Sequence, residues 1–185
     1  KTALVTVASS GSGRSLGRKL AAAGYGLVLV ARRQPALDEV GREIKAEHPD
    51  TRIELRAEDL SEPAASEGLF KAFPEVDLLV NNAGFGATGE FHATDWETYR
   101  RMIAVHVETL THLTYLYGGA MKNRGAGTIM NIAALAGFGP TPNFAVFGAT
   151  KSYVLNLSAA LDFELRPFGV RVLAYCPGGV DTPFN

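Results

Sequence analysis

The stretch Ala3-Leu4-Val5-Thr6-Val7-Ala8-Ser9-Ser10-Gly11-Ser12-Gly13 decides the fold. An apolar run without alternation suits a strand buried on both faces. The run passes into a serine–glycine loop. A helical pattern then extends from Arg14 to Ala23 and stops at Gly24. Glycines between a strand and a helix let backbone N–H groups approach a pyrophosphate at the helix N-terminus. A ligand-free flexible turn would look the same in isolation, so the remaining segments have to discriminate.

Working outward, the same unit recurs. Strand-like runs lie at Ala3–Ala8, Leu27–Ala31, Arg52–Arg56, Asp77–Asn81, Thr128–Ile132 and Arg171–Tyr175. Helical patterns fill the gaps, at about Pro35–Glu47 and after Ser61. Thr94-Asp95-Trp96-Glu97 reads as a capping box opening a long helix to about Asn123. A last helix is expected from about Phe144 to Arg166, stopped by Pro167. Strand–helix repetition implies an α/β fold, a Rossmann-type doubly wound parallel sheet with helices on both faces. Such sheets bind ligands beyond the carboxyl ends of their strands. No repeat or linker divides the chain, so residues 1–185 are expected to form one dinucleotide-binding domain.

Composition narrows the function. With 46% hydrophobic and 20% charged residues, the chain is ordinary globular material. Its net charge of −1 gives no general attraction to nucleic acid or an anionic membrane. No apolar run approaches the ~20 residues of a membrane span, and no signal peptide or lipidation motif is visible. Cys176 is the only cysteine, which precludes an internal disulfide and fits a reducing, cytoplasmic setting. The histidines at 48, 92, 106 and 112 have no metal-ligand spacing, so no metal is expected. The chain opens at Lys1 directly in a strand-like run, as a piece trimmed from a longer chain would.

Five further segments bear on chemistry. Arg32-Arg33 follow the second strand, where an acidic residue would hold a ribose 2′-hydroxyl; arginine instead suits a 2′-phosphate and favours NADP(H) over NAD(H). Asp59 follows the third strand, where its carboxylate could accept from an adenine amino group, or Asp59 and Ser61 could simply cap a helix. Asn81-Asn82-Ala83-Gly84 ends the fourth strand, where two amides and two small residues suit contact with a cofactor and ties between strands. Pro177-Gly178-Gly179-Val180-Asp181-Thr182 follows the sixth strand, where backbone and the Thr182 hydroxyl could reach a nicotinamide carboxamide. In Phe147-Gly148-Ala149-Thr150-Lys151 an aromatic ring and an ammonium share a helix face at i and i+4. A tyrosine at 147 would pair a phenol with a lysine for proton transfer, but Phe147 has no hydroxyl.

Together these segments resemble the short-chain dehydrogenase/reductase family along essentially the whole chain. The family's TGxxxGxG motif maps to Thr6–Gly13, NNAG to Asn81–Gly84, YxxxK to Phe147–Lys151 and PG to Pro177-Gly178. The resemblance implies a nicotinamide cofactor and interconversion of an alcohol and a carbonyl on a small molecule. It implies cofactor contacts from Ser9, Gly11, Ser12, Gly13, Arg32, Arg33, Asp59, Asn81, Ala83, Gly84, Lys151, Pro177, Gly178 and Thr182. In the family, tyrosine exchanges the substrate proton and serine holds the substrate oxygen. Lysine binds the nicotinamide ribose and lowers the tyrosine pKa, while an asparagine supports a proton relay through water. The family usually continues with a substrate-covering helical loop and a seventh strand, both expected after Asn185, where this sequence stops.

The chain departs from the pattern at four positions. Phe147 replaces the tyrosine, Ala134 the serine, His106 the asparagine and Val7 the first glycine, which leaves Lys151 as the retained catalytic position. Losing the acid/base alone costs on the order of 10²–10⁴ in rate. Losing the hydroxyl that polarises the carbonyl costs more, non-additively. The expectation is therefore an impaired or inactive NADP(H)-binding scaffold, whether a natural pseudoenzyme or an inactivated variant. Two alternatives stand beside it. One is an active NADP-dependent oxidoreductase with an unusual proton donor such as His106. The other is a hydrolase, because Gly13-Arg14-Ser15-Leu16-Gly17 matches GxSxG. Homodimerisation, or a higher homo-oligomer, is expected through the two long helices, with Tyr115, Leu116, Phe163 and Leu165 supplying apolar contact or else packing on the sheet.

Overall fold

A computed structural model describes residues 1–8 and 11–177. Strands β1 (Thr2–Thr6), β2 (Gly26–Ala31), β3 (Ile53–Ala57), β4 (Leu78–Asn81), β5 (Gly127–Ile132) and β6 (Val170–Tyr175) form one parallel sheet. Their order is β3-β2-β1-β4-β5-β6, the doubly wound Rossmann arrangement. The winding reverses between β1 and β4, which opens a crevice at their carboxyl ends.

Alternating residues of the central strands feed two cores. Leu4, Val28, Val30, Leu79 and Ile129 pack on one face with Leu69, Leu113, Tyr117 and Met121. Those last four come from helices α3 (Ala65–Ala72) and α5 (Leu110–Arg124). Ala3, Val5, Leu27, Leu29 and Val80 pack on the other face, which is covered by α1 (Gly11–Ala22) and α2 (Gln34–Glu47). This two-sided burial is why the strands read as unbroken apolar runs. Between α3 and α5 lies α4 (Trp96–Ile103), and α6 (Ala145–Leu165) precedes β6.

Several element ends differ from the sequence expectation. β1 stops at Thr6, because Val7 turns to a positive φ of 50°. Asp95 caps α4, its carboxylate accepting from the Thr98 N–H at 3.3 Å, so the cap lies one residue after Thr94, the first residue of the expected box. The long helix is not uniform either, since a π-helical segment, Ala104–Thr109, joins α4 to α5. The last helix ends at Leu165 with Arg166 as its C-cap, and Pro167 lies just past that end in a 3₁₀ turn, Arg166–Phe168. Among the described residues no helix is long and apolar enough to cross a membrane.

Candidate functional site

The strand ends at the crevice are knitted by Thr6 and Asn82. The Thr6 hydroxyl accepts from the backbone N–H groups of Asn82 and Ala83, both at 2.9 Å. The Asn82 amide donates to the carbonyls of Thr6 and Val7 at 3.2 and 3.3 Å, and its oxygen accepts from Ser12 at 2.8 Å. A Cβ on Gly13 would lie 2.1 Å from the Val7 carbonyl, so only glycine lets α1 start this close to β1. Asn81 points away from the crevice. It is buried and donates to Thr114 and Asn131, and Asn131 in turn donates to Ser158, which ties β4 and β5 to α5 and α6.

A cleft of about 140 Å³ lies at the ends of the first three strands. Val7, Arg32, Arg33, Asp59, Ala83, Gly84 and Arg101 are on its wall. The Asp59 carboxyl is held below the usual carboxylate range, first by the Ser61 backbone N–H, then by the Ser61 hydroxyl, Arg101 and Arg32. Arg32 and Arg33, which make no ion pair within 4 Å among the described residues, stand beside this carboxylate and suit an adenosine that carries a 2′-phosphate. The donor set fits the adenosine half of NADP(H). Val7 narrows the same cleft with a branched side chain where the motif has glycine.

The second part of the site lies where β5 meets α6. Lys151 is 5% exposed, and its Nζ donates to the Ile132 carbonyl at 2.9 Å. Burial pushes its pKa down to about 8, against a small opposing effect of the neighbouring Cys176. Cys176 packs with Leu110, Ala133 and Val154, as expected of a small apolar side chain. Phe147 stacks on Phe144 with ring centroids 4.2 Å apart and meets His106 edge-on at 5.7 Å. The Lys151 ammonium lies 5.5 Å from the Phe147 ring centre, so the i,i+4 pairing expected from sequence is formed. Ala134 opens a tight turn, Leu135–Phe138, packed so closely on α6 that a Cβ on Gly137 would lie 2.8 Å from the Lys151 backbone. Phe147 and Lys151 thus meet on α6, the turn that follows Ala134 packs against the same helix, and neither 134 nor 147 carries a hydroxyl.

His106 occupies the π-helical segment and is fully buried. Its Nε2 accepts from the Phe85 N–H at 3.0 Å, which leaves Nδ1 to donate to the Thr150 hydroxyl at 3.0 Å. Thr150 passes the bond to the Phe147 carbonyl at 2.8 Å. Burial, assisted by the Lys151 charge, pushes the imidazole pKa well below its ordinary value. Both nitrogens of His106 are thus engaged within the fold, and burial disfavours its charged form. The glycine of the NNAG segment has a local reason as well: a Cβ on Gly84 would lie 2.9 Å from His106 Nε2.

The hydrolase alternative has no support. Ser15 lies exposed inside α1 and away from any strand-to-helix turn. Ser9, Gly178 and Thr182 lie outside the described residues. Gly11 and Ser12 open α1 at the crevice, Gly11 with a φ of 50°, and Pro177 follows β6. Sequence reasoning missed Arg101, Phe85 and Thr150. Arg101 sits beside Arg100 in the sequence, and nothing local says which of the two turns toward the cleft.

Comparison with known proteins agrees with this geometry. The model of the short chain dehydrogenase family matches residues 1–185. An uncharacterized oxidoreductase of Staphylococcus epidermidis is 32% identical, and the match covers 100% of this chain and 80% of that protein. The solved structure of a short-chain dehydrogenase from Sphingobium yanoikuyae, in complex with NADPH, superposes with a TM-score of 0.94 at 34% identity, covering 99% of this chain and 73% of that one. A metagenomic short-chain oxidoreductase in complex with NADP gives 0.88 at 36% identity, covering 97% and 83%.

Proposed function

Because the chain belongs to the short-chain dehydrogenase family, we propose that it is an NADP(H)-binding domain impaired in interconverting alcohols and carbonyls. The bound nicotinamide would supply or accept hydride. This chain's own residues do the holding. Arg32 and Arg33 take the 2′-phosphate, Asp59 faces the adenine and Lys151 serves the nicotinamide ribose. The missing part is the proton chemistry. The observation that carries this reading is the pairing of Phe147 with Lys151: the ring is in place over a buried, low-pKa lysine, without the hydroxyl the lysine would activate. Ala134 offers no hydrogen bond to polarise a carbonyl. His106 does not compensate, since both its nitrogens are bonded and it is held neutral.

The same reading treats residues 1–185 as one dinucleotide-binding domain, working as a homodimer in a reducing, cytoplasmic setting. Any substrate would be a small carbonyl or alcohol. The cofactor assignment is tested by calorimetric titration with NADPH and NADH. The expected result is tighter binding of NADPH, and equal affinities or tighter NADH would contradict it.

A further inference from the structure

Arg101 lies on α4, in a part of the chain that the motifs do not touch, yet it lines the same cleft as Arg32, Arg33 and Asp59. Val105, four residues on, lines it too, so one helix face closes this side of the cleft. The Asp59 carboxylate has an uneven set of partners. Its Oδ1 accepts from the Ser61 N–H at 2.9 Å and the Ser61 hydroxyl at 2.7 Å, which fills both acceptor positions. Its Oδ2 has one donor among the described residues, Arg101 Nη2 at 3.5 Å, and so keeps one acceptor position open. Asp59 and Arg101 are both half-buried on the cleft wall.

We propose that Arg101 is a specificity-determining residue for the purine, fixing Asp59 Oδ2 to accept from an adenine amino group and lending its flat guanidinium as a wall for the ring. The proposal rests on the NADP(H) reading above. It separates two roles among the arginines. Arg32 and Arg33 answer the phosphate, whereas Arg101, committed to Asp59, answers the base. A purine with an oxygen at position 6 brings an acceptor to an acceptor, so hypoxanthine should be rejected.

The test is calorimetric titration with adenosine 2′,5′-bisphosphate and inosine 2′,5′-bisphosphate. The parent is expected to prefer the adenine form about tenfold or more. Arg101→Ala should lose about tenfold in affinity for the adenine form, with the adenine-to-hypoxanthine ratio falling toward one. Arg101→Lys should retain part of that ratio. Arg33→Ala should weaken both ligands alike and leave the ratio unchanged, as any general loss of positive charge or of folding would, so the falling ratio is particular to Arg101→Ala. An unchanged ratio in Arg101→Ala, or an equal loss of ratio in Arg33→Ala, would overturn the assignment of Arg101 alone. Failure of the parent to bind either bisphosphate would overturn the NADP(H) reading along with it.

Discussion

Single residues account for what this site has kept and lost. Val7 is a β-branched residue at positive φ, a conformation that costs roughly 1–2 kcal/mol, and its side chain narrows the cleft. Val7→Gly should relieve both, tightening NADPH about tenfold by calorimetry without lowering the thermal midpoint. An unchanged dissociation constant would show that the cleft tolerates the branch. His106 makes a second prediction, about pH. Its folded pKa lies well below the ordinary value, so protonation favours the unfolded chain. The stability held by neutral His106 is full above about pH 6.5 and is lost as the pH falls below it, by up to about 1.4 kcal/mol per pH unit. Lys151 is charged in both states over that range and adds no slope there. Thermal unfolding between pH 7.5 and 5 should show the loss, and His106→Asn should flatten the curve relative to the parent. Identical slopes would place the acid sensitivity elsewhere.

At the scale of elements, Asp162 joins α6 to β6. Its carboxylate accepts from the Val172 N–H at 2.9 Å and from Arg171 at 3.1 Å, and it also pairs with Arg166. The Arg166 bond first, then the Val172 amide, holds the carboxyl well below the usual carboxylate range. Asp162→Ala leaves the buried Val172 N–H without its partner and should cost about 2 kcal/mol in denaturant unfolding. A loss under about 0.5 kcal/mol would mean that solvent replaces the bond. Order and type of elements were legible because two-sided burial writes itself as apolar runs and glycine marks the loops. Ends were less legible where several residues could do the same job. Thr94 and Asp95 are both competent caps, and the packing of α4 chose Asp95. Neither Val7's reversal nor the π-helical segment has a local signal, because tertiary contacts impose them.

For the molecule as a whole, the exposed aromatics bear on assembly. Tyr115 on α5 and Phe163 on α6 are 76% and 82% exposed, whereas Leu165 packs against the core. Of the contacts expected to serve dimerisation, these two rings therefore face outward, and Leu116 is half-buried. Light scattering at micromolar concentration should give twice the chain mass, and Tyr115→Glu with Phe163→Glu should halve it; a monomeric parent would contradict pairing. Where a candidate residue would stand was legible wherever it belongs to a motif, as with Lys151 on the Phe147 face and Arg32-Arg33 after the second strand. It was illegible where a side chain is recruited from a distant helix, as with Arg101 and Thr150. The central claim is that this fold holds NADP(H) while lacking the hydroxyls that complete hydride transfer. Its most direct test is NADPH oxidation with small ketones at saturating cofactor, comparing the parent with Ala134→Ser/Phe147→Tyr. The expected outcome is a parent far below the ~1 s⁻¹ of ordinary enzymes, a gain on the order of 10² or more in the double variant, and little recovery from either single change. A parent turning over at ~1 s⁻¹ or faster, or a cofactor-saturated double variant with no gain, would contradict it.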